Sequence, residues 1–438
     1  MTASLLEKIR TADLLERTGR VRQVSGLMIE ASGPPVFLGE RCEIRADGMA
    51  PLSAEVVAIR EDRMLLMAHG DLRGVRRGAP VLTCGAPARV PVGTELLGRV
   101  LDPFGNPLDD RPAPRCTQFR ELFAEPLNPL RRPPIERALE TGVKSIDTLL
   151  TIGRGQRIGI FSGSGVGKST LLGMIARNVA SDINVIALIG ERGREVLEFI
   201  GKNLGEAGLQ RSVVIAATSD QPALLRAHAA LAASAVAEFF RDEGADVLLT
   251  MDSVTRFAMA QREIGLAVGE VPTARGYTPS VFALLPRLLE RAGTGPGGGS
   301  ITALYTVLVE GDDMNEPVAD HVRAIVDGHI VLSRKLAHEV WFPAIDILQS
   351  NSRLANGLRD AQQRATAQRA QRCLSLYHSS RDMLDLGAYQ AGANPELDEA
   401  IAVMPKLRAF LCQDEHESCG AAQSFAELAA LWQNAPRQ

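Results

Sequence analysis

Apolar and polar positions change rhythm three times along the chain. Up to about residue 17, Leu5, Leu6, Ile9, Leu14 and Leu15 fall among charges at loosely helical spacing. That spacing predicts an amphipathic helix, either docked on the domain behind it or turned to a partner or a membrane surface. From 19 to about 114 the pattern becomes short apolar runs, such as V-R-Q-V-S-G-L-M-I and S-A-E-V-V-A-I, broken by Gly, Pro and Asp. Closely spaced short strands of this kind predict a small β-barrel. The turn-dense stretch L-D-P-F-G-N-P-L at 101–108 reads as a boundary loop. After a Pro-rich connector ending near Ile135, strand and helix signals alternate. R-I-G-I-F-S precedes a helix from Ser169, N-V-I-A-L-I-G a helix near Glu195, and V-V-I-A-A-T a long Ala-rich helix with Asp220 and Pro222 as cap and first-turn residue. Alternation predicts an α/β domain whose mainly parallel sheet is covered by helices. Past Arg353 strand signals fade, and A-Q-Q-R-A-T-A-Q-R-A-Q-R-C-L opens a helical domain. The expected layout is a helical segment over 1–18, a barrel over 19–114, an α/β domain over 115–353 and a helical domain over 354–438, with no internal repeat.

Composition narrows this picture. The 438 residues are 45% apolar and 23% charged, values of a globular protein with room for two or three domains. A net charge of −4 and only 4% aromatic residues argue against nucleic acid as the main partner, because neither phosphate attraction nor base stacking is supplied. The six cysteines lack metal or disulfide spacing and fit reduced, cytoplasmic thiols. The opening M-T-A-S-L-L-E-K-I-R is not expected to be a signal peptide, and no uncharged apolar run is long enough to span a membrane. His321, His329, His338 and the D-E-H-E run from Asp414 show no ligand spacing, so a dedicated metal centre is not expected. Nothing like G-x-S-x-G follows a strand, so no serine triad is expected either.

The strongest chemical signal is S-G-S-G-V-G-K-S at 162–169, set between the strand R-I-G-I-F and the helical run T-L-L-G-M-I-A-R. This is the context of a P-loop. Gly163, Ser164, Gly165, Val166 and Gly167 form the curl whose N–H groups face a phosphate. Lys168 supplies a cation to the β- and γ-phosphates, Ser169 a hydroxyl for Mg²⁺, and Thr170 closes the set. Ser162 stands where the strict pattern has glycine, which is tolerable only if that position needs no positive φ. The strand A-D-V-L-L-T-M-D-S brings Asp252 to the same sheet edge as a second Mg²⁺-holding group. The strand V-I-A-L-I-G delivers Glu191, which could orient the attacking water, and Arg192.

On these residues the chain resembles the hexameric RecA-like ATPases, the family of rotary ATP synthase catalytic subunits, flagellar export ATPases and type III secretion ATPases. L-I-G-E-R-G-R-E-V (188–196) is similar to that family's catalytic-glutamate segment. The resemblance implies ATP and Mg²⁺ as ligands, Glu191 as catalytic carboxylate and Arg192 as a γ-phosphate contact. F-P-A-I-D-I-L-Q-S-N-S-R (342–353) resembles the stretch ending in the arginine finger, which implies that Arg353 enters a neighbouring subunit's site and that Phe342 stacks on adenine. Tyr389, in L-G-A-Y-Q-A-G, would close the pocket from the helical domain. The segment 307–320, E-F-F-R-D near Glu238 and D-G-H-I-V-L-S-R-K-L-A resemble the secretion branch more than the flagellar one, and the C-terminal domain is short for an ATP synthase β subunit.

From the resemblance follow a homohexamer that energises chaperone release, unfolding and export, with flagellar protein export as the alternative. It also implies a stator or regulator at the N-terminal region, a central stalk protein touching the loops at 269–280 and 310–316, and chaperone–effector complexes. A cytoplasmic location, peripheral to an inner-membrane export apparatus, completes the expectation. Two rivals share the core. A regulatory, non-hydrolysing subunit would not need Glu191. A ring helicase would need an RNA-binding barrel, whereas the barrel region here offers only the small basic cluster Arg73, Arg76 and Arg77.

Overall fold

The computed structural model describes residues 18–46, 48, 50–309, 311 and 313–432, so the N-terminal amphipathic stripe lies outside the described residues. Six antiparallel strands, Thr18–Ser25, Met28–Ser32, Glu40–Ile44, Leu52–Arg60, Arg63–Ala68 and Pro80–Pro87, close into a barrel. Alternate positions point inward: Ile29 and Ala31 are buried between half-buried neighbours, and with Ile44, Val56, Leu66 and Val81 they fill the interior. Closure leaves no strand edge to pair with another chain.

The barrel ends sooner than the expected boundary near residue 114. Strand Arg99–Leu101 pairs in parallel with Ser212–Ala217 at the edge of the central sheet. Val100 and Leu101 are buried there, while the Arg99 guanidinium donates to both carboxylate oxygens of Asp109 at 2.8 and 2.9 Å and holds the following turn. Strand Arg89–Val92 pairs with Gln118–Glu121 as a separate ribbon against the Ala-rich helix.

The central sheet runs in the order Ile345–Ser352, Gly328–Leu332, Arg157–Ser162, Ser300–Leu308, Asp246–Asp252, Ile183–Ile189, Ser212–Ala217 and Arg99–Leu101. All neighbours are parallel except Ile345–Ser352, which is antiparallel on its edge, and a short hairpin strand on Ser300–Leu308. Ser300–Leu308 is buried at every position but its last, as a strand covered on both faces must be. The Ala-rich helix, Ala223–Asp242, is long and apolar enough to cross a bilayer, yet it lies in the core, where small side chains let it approach the sheet. It starts at Ala223 with Pro222 in extended geometry and no side-chain cap. Asp220 therefore does not cap it; residues 218–221 form a turn closed by Gln221 N–H on the Thr218 carbonyl.

Inside this core, fully buried Arg291 donates to both oxygens of Glu238 at 2.8 and 2.7 Å and to the Leu122 carbonyl at 2.7 Å, fastening the inter-domain connector to the Ala-rich helix. The C-terminal helices begin at Ala361–Ser379, whose start carries a reciprocal capping box between Asp360 and Gln363. Helices Pro395–Leu411 and Ala421–Ala430 follow. Gln413 ties them back, accepting from Lys144 N–H and donating to the Gly142 carbonyl.

Candidate active site

Parallel strands place their C-terminal ends along one edge, and the three groups expected there meet. The loop after Arg157–Ser162 has positive φ only at Gly165 and Gly167, and helix Lys168–Asn178 starts directly behind them. Ser162 remains in strand geometry, which is why serine is accepted where the strict motif has glycine. Val166 is buried under the loop, leaving Ser164, Gly165 and Ser169 exposed. A Cβ at Gly167 would lie 3.7 Å from the Phe342 ring, so Phe342, itself 44% exposed, borders the loop.

Lys168 Nζ lies 2.5 Å from Asp252 Oδ1 and 3.5 Å from Glu191 Oε1. Burial alone would lower the ammonium's pKa, but the charges of Asp252 and Glu191 outweigh it and raise the value above the ordinary one. Asp252 also accepts from the Thr306 hydroxyl at 2.7 Å, on the adjacent strand. Glu191 is pushed up to about 7, chiefly by desolvation, against the pull of Lys168 and with added repulsion from Asp252. A carboxylate that titrates near neutrality is suited to accept a proton from water.

Lys168 and Glu191 face a cavity of about 840 Å³, lined also by Gly163, Ser164, Gly165, Gly167, Ser169, Thr170 and Arg192, while Asp252 is buried behind Lys168. Arg192 is largely exposed and pairs with Glu195 at 3.2 Å. Motif reading missed four contributors: Thr306, Glu195, Thr255 and Arg256, the last packed against Gly190. Glu195 lies in the first turn of helix Gly193–Glu198, which starts just past Glu191 and so brings the two carboxyls together.

Arg353 does not line the chain's own cavity. It is exposed just past the edge strand, its N–H donating to the Asp327 carbonyl at 3.1 Å. Its guanidinium makes no hydrogen bond or ion pair among the described residues. Tyr389 does not reach the cavity either, in contrast to the expectation. Its hydroxyl donates to Asp398 at 2.9 Å and accepts from the Asn394 N–H at 3.2 Å, so it builds the start of helix Pro395–Leu411 instead. The two loops expected near a central hole touch each other through Arg275 and Asp313 at 2.6 Å.

Since Glu191 is raised, its charged form is lost as pH falls through about 7. If its carboxylate positions the water, kcat/KM for ATP drops roughly fivefold from pH 7 to pH 6 and levels off above pH 8, a profile set by the free enzyme's base. Initial-rate phosphate release at fixed free Mg²⁺ checks this, and a flat profile down to pH 6 contradicts it.

A phosphate-binding loop on a parallel sheet, with an acid on each of two neighbouring strand ends, defines a P-loop nucleoside triphosphatase. The comparisons specify it further. Residues 142–352 match the ATP synthase alpha/beta family nucleotide-binding domain, 21–85 that family's β-barrel domain, and 359–430 the T3SS EscN ATPase C-terminal domain. The chain is 52% identical to the flagellum-specific ATP synthase of Bacillus subtilis, with 99% of each chain covered. It is 49% identical to the type 3 secretion system ATPase of Xanthomonas euvesicatoria, over 94% of this chain and 93% of that one. The assembled ATPase EscN of enteropathogenic E. coli superposes with a TM-score of 0.90 at 43% identity, covering 94% of this chain and 99% of that one. This chain belongs to the ATP synthase alpha/beta family, in the branch of flagellar and type III secretion ATPases, and is an ATPase of protein export.

Proposed function

We propose that the chain hydrolyses Mg-ATP in a homohexameric ring and uses the energy to release chaperones from export substrates, unfold them and drive them through a type III secretion system. The observation that carries this reading is the convergence of Lys168, Glu191 and Asp252 on one phosphate-sized loop. Phosphates bound to the loop's N–H groups would draw Lys168 from its carboxylate partners, leaving Glu191 to hold water and accept its proton. Ser169 and Asp252 are an all-oxygen donor pair of the kind Mg²⁺ takes, and they would hold that ion, which supplies charge neutralisation at the β- and γ-phosphates. Phe342, exposed beside Gly167, would stack on the base, and Arg192, on the cavity wall, would contact the γ-phosphate. Tyr389 keeps only its role in the helical domain.

Arg353 faces outward and would complete the site of the next subunit. EscN, at 42–43% identity, has been solved as an assembled ATPase and in complex with its central stalk EscO. A central stalk protein at the Arg275–Asp313 loop pair and a stator at the N-terminal region are the corresponding partners here. The working place would be the cytoplasmic face of an inner-membrane export apparatus. Flagellar export is the second reading, favoured by relatives of that name at 43–52% identity beside secretion relatives at 48–49%.

Two measurements test the proposal together. Purified chain is expected to release phosphate from ATP only with Mg²⁺. Deleting the chain from its cell is expected to abolish secretion of type III effectors with motility intact; lost motility with intact effector secretion assigns the flagellar reading. No Mg²⁺-dependent turnover from the assembled protein refutes both.

A further inference from the structure

Where the barrel meets the ATPase core, three side chains that the nucleotide site does not use converge in a closed space. Glu55 sits on the barrel strand Leu52–Arg60, His69 directly follows the strand Arg63–Ala68, and His228 projects from the Ala-rich helix of the central domain. Their side chains are 5%, 6% and 1% exposed. His228 Nε2 lies 3.1 Å from Glu55 Oε2, and His69 Nε2 lies 4.0 Å from the same oxygen. All three ligand-type atoms fall within 4.8 Å of one another. Neither contact has the alignment of a hydrogen bond. Glu55 Oε2, His69 Nε2 and both ring nitrogens of His228 are buried without a hydrogen-bond partner. Four such atoms in one spot are unusual, since buried polar groups are nearly always satisfied and each orphan destabilises by about 1–3 kcal/mol.

We propose that Glu55, His69 and His228 bind one zinc-class divalent cation that clamps the barrel to the ATPase core. One ion between them would satisfy three orphaned atoms together. Zinc bonds of about 2.0–2.2 Å in a tetrahedral shell place donors roughly 3.3 Å apart. The 3.1 Å edge already has that length, and the 4.0 Å edge needs less than 1 Å of closure. The remaining coordination position falls to the second Glu55 oxygen or to water. His69 is preset for the role: its Nδ1 hydrogen-bonds Ser53 Oγ at 3.0 Å, which fixes the ring and turns Nε2 to the cluster, the arrangement that usually orients a ligating histidine. Phe104, from the turn-dense loop, closes the space with edge contacts to both imidazoles at 4.7 and 5.7 Å. Arg41, stacked over Phe104, works against a bound cation, and the Glu55 carboxylate offsets that charge. Two imidazoles and one carboxylate suit zinc rather than magnesium or calcium, which take oxygen shells. Solvent is shut out, so the ion has a structural role between domains, independent of the phosphate site.

The test uses the full chain, stripped of metal by a chelator, kept free of nucleotide, and loaded with zinc or cobalt(II). Wild type is expected to retain about one zinc per chain after gel filtration and to show the visible bands of tetrahedral cobalt. His69→Gln and His228→Gln should each lose both signals, whereas His416→Gln, in the exposed D-E-H-E run, should keep them. Folding of each variant is confirmed by circular dichroism, and the wild-type stoichiometry alone decides the matter where a variant does not fold. Failure of wild type to retain zinc, or retention by His228→Gln, overturns the site.

Discussion

Replacing Glu191 with glutamine is expected to lower kcat for ATP by about 10²–10⁴ while nucleotide affinity stays within a few-fold of wild type. Glutamine keeps the shape of the side chain and removes its basicity. Glu191 stands 3.5 Å from the Lys168 ammonium at a strand end that faces the cavity, and its carboxyl is raised to about 7. Water activation needs an acceptor at that point, whereas phosphate binding needs the loop N–H groups and Lys168, which the substitution leaves in place. Lys168 also keeps Asp252 as counter-ion at 2.5 Å, so the local fold should hold. Steady-state phosphate release and binding of a fluorescent ATP analogue separate the two effects. A kcat within threefold of wild type would remove Glu191 from the chemistry and place water activation elsewhere. A parallel loss of binding would make it a structural partner of Lys168.

The parts of this site that could be read from residues alone were those whose chemistry is local. Gly-Lys-Ser at a strand-to-helix junction combines backbone freedom, cation and hydroxyl within a few residues, and the apolar run ending in Asp252 announces both a buried strand and an acid at its tip. What escaped depends on contacts between distant segments. Arg99–Leu101 looks like one more barrel strand until it meets Ser212–Ala217, because three residues carry no sign of which sheet they will extend. Thr306 is an ordinary strand threonine until parallel pairing sets it beside Asp252. His228 lies in an Ala-rich helical pattern, and only the docking of the barrel brings Glu55 and His69 to it. Tyr389 was assigned to the pocket by resemblance alone, and no local pattern announced that Asn394 and Asp398, at a helix start close by, would take its hydroxyl.

Arg353→Ala is expected to cost a factor of about 10³–10⁵ in kcat, the range associated with an arginine finger supplied across an interface. In wild type, specific activity should rise steeply with protein concentration, because each site is complete only when a neighbour is present. The geometry behind this is the separation of Arg353 from its own cavity: it follows the edge strand Ile345–Ser352, exposed, with its backbone pinned to Asp327. Asp327 in turn is fixed by the Arg157 guanidinium at 3.0 Å, so the backbone that would present the finger is held in place although the side chain has no partner among the described residues. Removing an exposed guanidinium should leave folding intact and nucleotide binding nearly so, since Lys168 and the loop are untouched. Mixing supplies the sharper measurement. Glu191→Gln subunits lack the base but bring an intact finger, and Arg353→Ala subunits lack the finger but keep an intact base. Mixed rings should recover activity that neither variant has alone, at interfaces where an Arg353-bearing neighbour meets a Glu191-bearing site. Absence of recovery, with mixed rings confirmed by mass, would mean that Arg353 serves its own subunit or none, and the site would then be complete within a single chain.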